Sequence, residues 1–292
     1  MSALPVATIG FIGLGVMGEP MCGHLARRSG LPIIAHDLRP APLARLAEVG
    51  VRAASPETIV READLILMSL PDGKAMQAVV SGLEPHLRPG QTVVDTSTSS
   101  VPLTREIGAR LEGKGINFAD APVARTREAA ARGELSIMVG ASDATFAHIR
   151  PILETMGTDV SLCGPIGCGQ VVKILNNMLV FEQTAALAEA IAIGRRNGVP
   201  ADVLLPIMAK GSGDSFVLRN HGMKAMVPRV FPLRAFSTRY AMKDLSYALE
   251  MADAAGLDVA AARLAMERLK ETERRGFGEE YHPVVLNVID PQ

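Results

Sequence analysis

Up to about residue 163 the chain alternates short β-branched apolar runs with segments whose apolar positions recur every three to four residues. Crossover helices joining parallel strands produce that alternation. It predicts strands at Thr8 to Ile12, Ile33 to Asp37, Leu65 to Leu70, Thr92 to Thr96, Phe118 to Ala121, Ile137 to Val139 and Val160 to Leu162. Most of these runs are apolar without interruption, so both faces of the sheet should be covered. Ser55-Pro56-Glu57 supplies a helix N-cap followed by proline at the first helical position, and Gly50 stands where the preceding helix should stop.

After Gly164-Pro165-Ile166-Gly167 the period becomes 3.6 and stays there. A helix is predicted over about 168–197, which at 1.5 Å per residue would run roughly 45 Å, enough to leave one domain and form the spine of another. Further helices are predicted at Ala201 to Ala209, Phe216 to Met226, Thr238 to Ala255 and Val259 to Arg274, with Gly256 as a C′ cap. The pattern thus reads as a doubly wound α/β domain over residues 1–165 and an all-α domain over 166–292.

Chemistry enters first at Gly13-Leu14-Gly15-Val16-Met17-Gly18, which follows a predicted strand and opens a predicted helix. The first glycine permits a tight turn, the second lets a pyrophosphate approach the backbone, and the third lets helix and strand pack closely. Asp37 closes the second strand 19 residues past Gly18, where a carboxylate can accept hydrogen bonds from both adenosine ribose hydroxyls. A 2′-phosphate would meet that carboxylate, so NAD is favoured; Arg39, two residues on, keeps NADP possible.

The second concentration of chemistry lies on the long helix. Gly169, Lys173, Asn176 and Asn177 are spaced by offsets of four, seven and eight, which puts them on one face. A missing side chain, an amine and two carboxamides do not make ordinary apolar core. Gly169 is expected to let a ligand come close to the backbone, with the asparagines holding Lys173 and a substrate oxygen together. Hydride transfer to a carbonyl needs an acid that protonates the forming alkoxide, and the reverse needs a base for the alcohol proton; a lysine partly removed from water can serve as both.

Composition narrows the partners. Lys plus Arg number 30 against 31 Asp plus Glu, so no net field draws the protein to nucleic acid or to a membrane surface. No uninterrupted apolar stretch of about 18 residues suggests a spanning helix. The apolar start, Leu4 to Met21, lacks a basic flank and is broken by glycines, so it reads as core strand and turn rather than a signal segment. Cys22, Cys163 and Cys168 are odd in number and form no CxxC or His cluster, which predicts reduced, mostly buried thiols in a cytoplasmic protein and no structural metal.

Six motifs together resemble the β-hydroxyacid dehydrogenase family, which includes 3-hydroxyisobutyrate dehydrogenases and tartronate semialdehyde reductases. They are Gly10 to Gly18, Leu70-Pro71, Asp95-Thr96-Ser97-Thr98, Asp120-Ala121-Pro122-Val123, Gly169 to Asn177, and Lys243-Asp244-Leu245, and they span nearly the whole chain. The resemblance implies a Rossmann-like domain joined by a long helix to an all-helical domain, with the active site in the cleft and assembly as a homodimer or homotetramer. It implies Lys173 as general acid/base, Asn176 and Asn177 as residues orienting it and the substrate, and Ser97 as a substrate contact. Leu70, Pro71 and Thr98 would line the nicotinamide, and Lys243 would reach the cofactor.

One motif departs from the family's pattern. Where most members read Val-Ser-Gly-Gly after Asp-x-Pro, this chain reads Val123-Ala124-Arg125-Thr126. A guanidinium and a hydroxyl there would suit bidentate capture of a carboxylate or sulfonate, an arrangement similar to that of sulfolactaldehyde reductases of the same family. Arg127 reads as a solvated loop residue, and Phe216 stands where many members have tryptophan.

The expected activity is NAD-linked interconversion of a small anionic β-hydroxy acid and its semialdehyde, with 3-sulfolactaldehyde or succinic semialdehyde as candidate substrates. Alternatives are a 3-hydroxyisobutyrate or tartronate semialdehyde reductase, an imine reductase of the same fold, against which Lys173 counts, and a non-enzymatic dinucleotide-dependent scaffold.

Overall fold

The computed structural model describes residues 3, 5–233 and 235–291. Leu4, with which the first apolar stretch begins, lies outside the described residues. By its contacts the chain divides into two compact units at Lys173/Ile174.

In the first unit β1 (Ile9–Ile12), α1 (Gly18–Arg28), β2 (Ile33–His36), α2 (Pro40–Ala47), β3 (Arg52–Ala53), α3 (Pro56–Glu62) and β4 (Leu65–Met68) are followed by α4 (Gly73–Leu83) and β5 (Thr92–Asp95). Then come α5 (Val101–Glu112), β6 (Asn117–Asp120), β7 (Val123–Ala124), α6 (Arg127–Arg132), β8 (Leu135–Gly140), α7 (Asp143–Leu153) and β9 (Gly157–Gly164). The sheet order is β3-β2-β1-β4-β5-β6-β8-β7, with β9 on β8. Pairs from β3 through β6 are parallel, whereas β8 runs antiparallel to both β6 and β7.

Strands β1, β4 and β5 are buried at every residue. Two separate clusters explain this: Phe11, Leu14, Leu25, Leu67 and Val139 pack on one side, and Ile12, Ile59, Ile66, Met76 and Phe118 on the other. The apolar runs reveal that double burial. They do not reveal β3 and β7, because two residues carry no periodicity, and β3 is exposed at the sheet edge.

The long helix, α8 (Cys168–Arg196), runs through the division between the units. The second unit continues with α9 (Ala201–Met208), a π-helical segment Leu218–Met226, α10 (Thr238–Ala254), α11 (Ala260–Thr272) and α12 (Leu286–Ile289). Leu187, Ile191, Leu205, Leu218, Val285 and Leu286 form its core. Gly256 follows α10 with φ +67, the left-handed cap that its position predicts. The π register of 218–226 and the short turns from His282 onward are not visible in a 3.6-residue pattern. No helix among the described residues is long and apolar enough to cross a membrane.

Candidate active site

Strand β1 pairs with β2 on one side and β4 on the other, so the chain changes direction at their carboxyl ends, the position where open α/β sheets take ligands. Gly13 leaves β1 with φ +93, and a Cβ there would overlap the Ser69 carbonyl after β4. A Cβ on Gly18 would overlap the Gly13 carbonyl. At Gly15 an added Cβ meets nothing within 4 Å, and α1 begins with no side-chain cap at Met17. Leu14 turns its side chain into the core, while Val16 is exposed and Met17 half-buried. The loop therefore closes on the protein at Gly13 and Gly18 and stays open at Gly15, just before a helix whose N-cap residue Met17 offers no capping side chain, a cradle that fits a pyrophosphate.

Asp37 follows β2 and completes this loop from the other side. Its Oδ2 accepts the Leu14 N–H at 2.6 Å, and its Oδ1 accepts the Arg39 N–H at 2.8 Å and Arg39 Nε at 3.1 Å. Burial pushes the carboxyl up, but the two amides and the guanidinium outweigh it and hold Asp37 below the usual carboxylate range. An ionised acceptor is thus fixed beside the open turn, which fits the ribose of a dinucleotide.

The loops after β4 and β5 are tied to each other and to α8. Ser97 Oγ accepts the Leu70 N–H at 2.9 Å, and the Ser97 N–H donates to Asp95 Oδ1 at 3.0 Å. Gln170, one turn before Lys173, donates to the Ser97 carbonyl at 2.8 Å and accepts the Ser99 N–H at 3.1 Å. Leu70 and Thr98 are half-buried and Pro71 is exposed. Lys173 itself is only 8% exposed.

Asp120, at the end of β6, is fully buried, and its carboxylate accepts the Gly167 N–H at 2.6 Å and the Gln170 N–H at 2.8 Å. Burial pushes its pKa up to about 6; the two amides oppose the rise and neighbouring Asp95 adds to it. Asp120 also corrects the expectation for Gly169. A Cβ on Gly169 would overlap the Met138 carbonyl and lie 2.8 Å from Asp120 Oδ2, so its missing side chain is filled by the protein's own sheet rather than by a ligand.

The loop after Pro122 holds a second departure from expectation. Arg125 has φ +85, a left-handed conformation that a non-glycine residue rarely adopts. Its guanidinium donates to the Glu134 carbonyl at 2.7 Å, to Thr158 Oγ1 at 2.9 Å and to Asp159 at 2.5 Å. Three of its five N–H groups are thereby spent on the residue just before β8 and on two residues of β9. Thr126 caps α6, its hydroxyl accepting the Ala129 N–H. Both side chains that the sequence offers as an anion clamp have structural work of their own.

In the second unit, Asn177 is buried and donates to Asp244 Oδ2 at 2.6 Å, while its own Oδ1 accepts from Asn176 Nδ2 at 3.1 Å. Asn176 is exposed rather than sharing the buried face. Lys243 lies 3.1 Å from Asp244 Oδ1 and over the rings of Tyr240 and Tyr247. Phe216 is 52% exposed and meets the His221 ring edge-on. Asp120, Gln170 and Asp244 fall inside motifs of the resemblance, which gives none of them a role. A place at the end of an apolar strand, like that of Asp37, is a local signal that marks Asp120 as well. Cys22 is buried, with its thiol pushed up to about 12 by burial and by nearby Glu19, but Cys163 and Cys168 are only half-buried.

Comparison with known proteins agrees with this geometry. Residues 8–164 match the family described as the NAD binding domain of 6-phosphogluconate dehydrogenase, and residues 167–289 match that of the NAD-binding region of NADP-dependent 3-hydroxyisobutyrate dehydrogenase. The chain is 33% identical to 2-(hydroxymethyl)glutarate dehydrogenase of Eubacterium barkeri, covering 96% of this chain and 94% of that protein. It is 32% identical to the NAD-dependent L-serine dehydrogenase of Pseudomonas aeruginosa, covering 97% and 98%. The solved structure of Mycobacterium tuberculosis 3-hydroxyisobutyrate dehydrogenase with L-serine superposes with a TM-score of 0.89 at 28% identity, covering 98% of this chain and all of that one.

Proposed function

The chain belongs to the β-hydroxyacid dehydrogenase family typified by 3-hydroxyisobutyrate dehydrogenase and is an NAD(P)-dependent oxidoreductase acting on CH–OH groups; from that premise we propose that it oxidises the primary alcohol of a small 3-hydroxy carboxylate to the semialdehyde, with NAD preferred. The observation that carries this reading is the burial of Lys173 one turn beyond Gln170, whose carboxamide grips the Ser97 to Ser99 loop.

Asp37, ionised and held by two amides, favours a free ribose hydroxyl over a 2′-phosphate. A bound nicotinamide supplies the hydride acceptor. Lys173 Nζ takes the hydroxyl proton as the C–H bond breaks and, in the reverse direction, returns it to the alkoxide. Asn177, with its amide held by Asp244, orients that part of the helix, and Asn176 offers an exposed carboxamide toward substrate. Leu70, Pro71 and Thr98 belong on the nicotinamide side in this reading, and Lys243 at the cofactor.

The substrate class follows from chemistry that three relatives share. 2-(Hydroxymethyl)glutarate, L-serine and 3-hydroxyisobutyrate are all 3-hydroxypropanoates that differ at C2. The pairing of Arg125 with Asp159 removes the main support for a sulfonate or a second distal carboxylate as the defining group. Three free thiols support a reducing, cytoplasmic setting. Apolar Ile193, Val203 and Ile207, exposed on α8 and α9, support assembly as a homodimer or homotetramer.

The test is an NAD-linked oxidation panel of 2-substituted 3-hydroxypropanoates, run beside reduction of sulfolactaldehyde, succinic semialdehyde and cyclic imines. We expect turnover concentrated on the first group, with Lys173→Ala lowering kcat by about 10²- to 10⁴-fold, the usual span for a general acid/base, at unchanged NADH affinity. Wild-type turnover in Lys173→Ala, or activity on imines alone, would overturn the reading.

A further inference from the structure

We propose that Asp120 and Gln170 are positioning residues that set the depth and direction of Lys173; this rests on Lys173 being the acid/base of the reading above. Helices α3, α4, α6, α7 and α10 each carry a capping side chain on the residue just before them. For α8 that service comes from a distant strand. The Asp120 carboxylate receives the N–H groups of Gly167 and Gln170, 47 and 50 residues further along the chain.

The place is built for that carboxylate. Added Cβ atoms on Gly140 and on Gly169 would each sit 2.8 Å from Asp120 Oδ2, so two backbone segments lack side chains where the carboxylate lies. Gln170, with no exposed surface, then uses both ends of its carboxamide on the loop after β5. The same loop holds Leu70 through Ser97. One helical turn is therefore pinned to β6 and to the β5 loop at once, and Lys173 is the next residue on that face.

A lysine side chain has four rotatable carbons, so its amine is placed only as well as its backbone is held. Misplacement of a reacting group by about 1 Å can cost about 100-fold in rate. Gln170→Ala is accordingly expected to lower kcat by about 10- to 100-fold while KM and the NADH dissociation constant stay within about threefold. The second readout does not use turnover. In the whole protein, site-resolved acylation of Lys173 by an amine-reactive ester should rise about fivefold or more relative to exposed Lys74, because a released turn brings the amine to solvent. Asp120→Asn, which keeps shape but turns an amide donor toward one of two N–H groups, should move both readouts the same way.

A Gln170→Ala protein that melts earlier yet keeps kcat and Lys173 labelling would overturn the proposal and leave a purely structural clamp. If Lys173→Ala retained turnover, the acid/base reading would fall, while the labelling would still decide whether the clamp governs the exposure of Lys173.

Discussion

Helices α1 and α8 both begin beside glycines, and they begin differently. At the start of α1, Gly15 faces open space and the N-cap residue Met17 makes no side-chain cap. At the start of α8, Gly169 faces Met138 and Asp120, and the carboxylate of Asp120 has taken the N–H groups of Gly167 and Gln170. Both glycines mark a close approach to the backbone. At α1 the approaching group must come from outside the chain, and at α8 it is already part of it. A glycine at a helix start thus reports that something is near without reporting what.

The largest expected effects come from filling the two positions. Gly15→Val should raise the NADH dissociation constant about 100-fold or more, worth about 2.7 kcal/mol, with thermal stability nearly unchanged. Gly169→Ala should do the reverse. Its methyl group collides with a carbonyl and a buried carboxylate, so a stability loss of about 3 kcal/mol or more is expected, the upper end for overpacking, and any folded fraction should bind NADH normally. Fluorescence titration and urea unfolding of both proteins separate the outcomes. The comparison breaks if Gly15→Val unfolds the protein or if a stable Gly169→Ala loses NADH.

The contrast also explains how far the sequence could be read. The doubly wound sheet was legible because β1, β4 and β5 are buried on both faces and β1 and β4 carry unbroken apolar runs. Gly13, Gly18 and Asp37 were legible because a local spacing of strand, turn and strand end fixes all three. Lys173 stood out as an amine on an apolar helix. Asp120, Gln170 and Asp244 lie within the quoted motifs, but their roles were not legible, since each acts through a partner at least 47 residues away and no local pattern encodes such a pair. For Arg125 the sequence shows the charge and hides the partners. Its charge suggested a ligand, whereas Glu134, Thr158 and Asp159 lie 9 to 34 residues downstream and become its partners only when β8 and β9 pair.

The closed start of α8 should respond to pH. Asp120 has its pKa raised by burial from 3.8 to about 6, so between those values the folded protein holds a proton that the unfolded chain has released. Its contribution to stability is therefore greatest at the acid end of that window and declines as pH rises through about 6. Asn at position 120 cannot ionise. The stability of the wild type relative to Asp120→Asn should improve by about 1.4 kcal/mol from pH 8 to pH 5. Groups that titrate in both proteins, among them His221, whose pKa burial lowers to about 4, cancel in the difference. A difference that is flat with pH would show that the Gly167 and Gln170 amides offset the burial of this carboxylate in full.

A third helix start, that of α6, carries the smallest effect and asks whether the loop after Pro122 belongs with the open case or the closed one. Thr126 caps α6, and Arg125 before it is bent to φ +85 with its guanidinium on Asp159. Glycine adopts that backbone without strain, so Arg125→Gly should recover in backbone energy part of what it loses in pairing, while Arg125→Ala loses the pairing and keeps the strain. Alanine should come out less stable than glycine by about 0.5 to 1 kcal/mol, and both should leave KM for 3-hydroxy carboxylates within about threefold. Should KM instead rise more than about tenfold in both, the loss would match a missing charge-assisted contact to substrate. Arg125 would then have to leave Asp159 on binding, and this start would join α1 as a place held for a ligand.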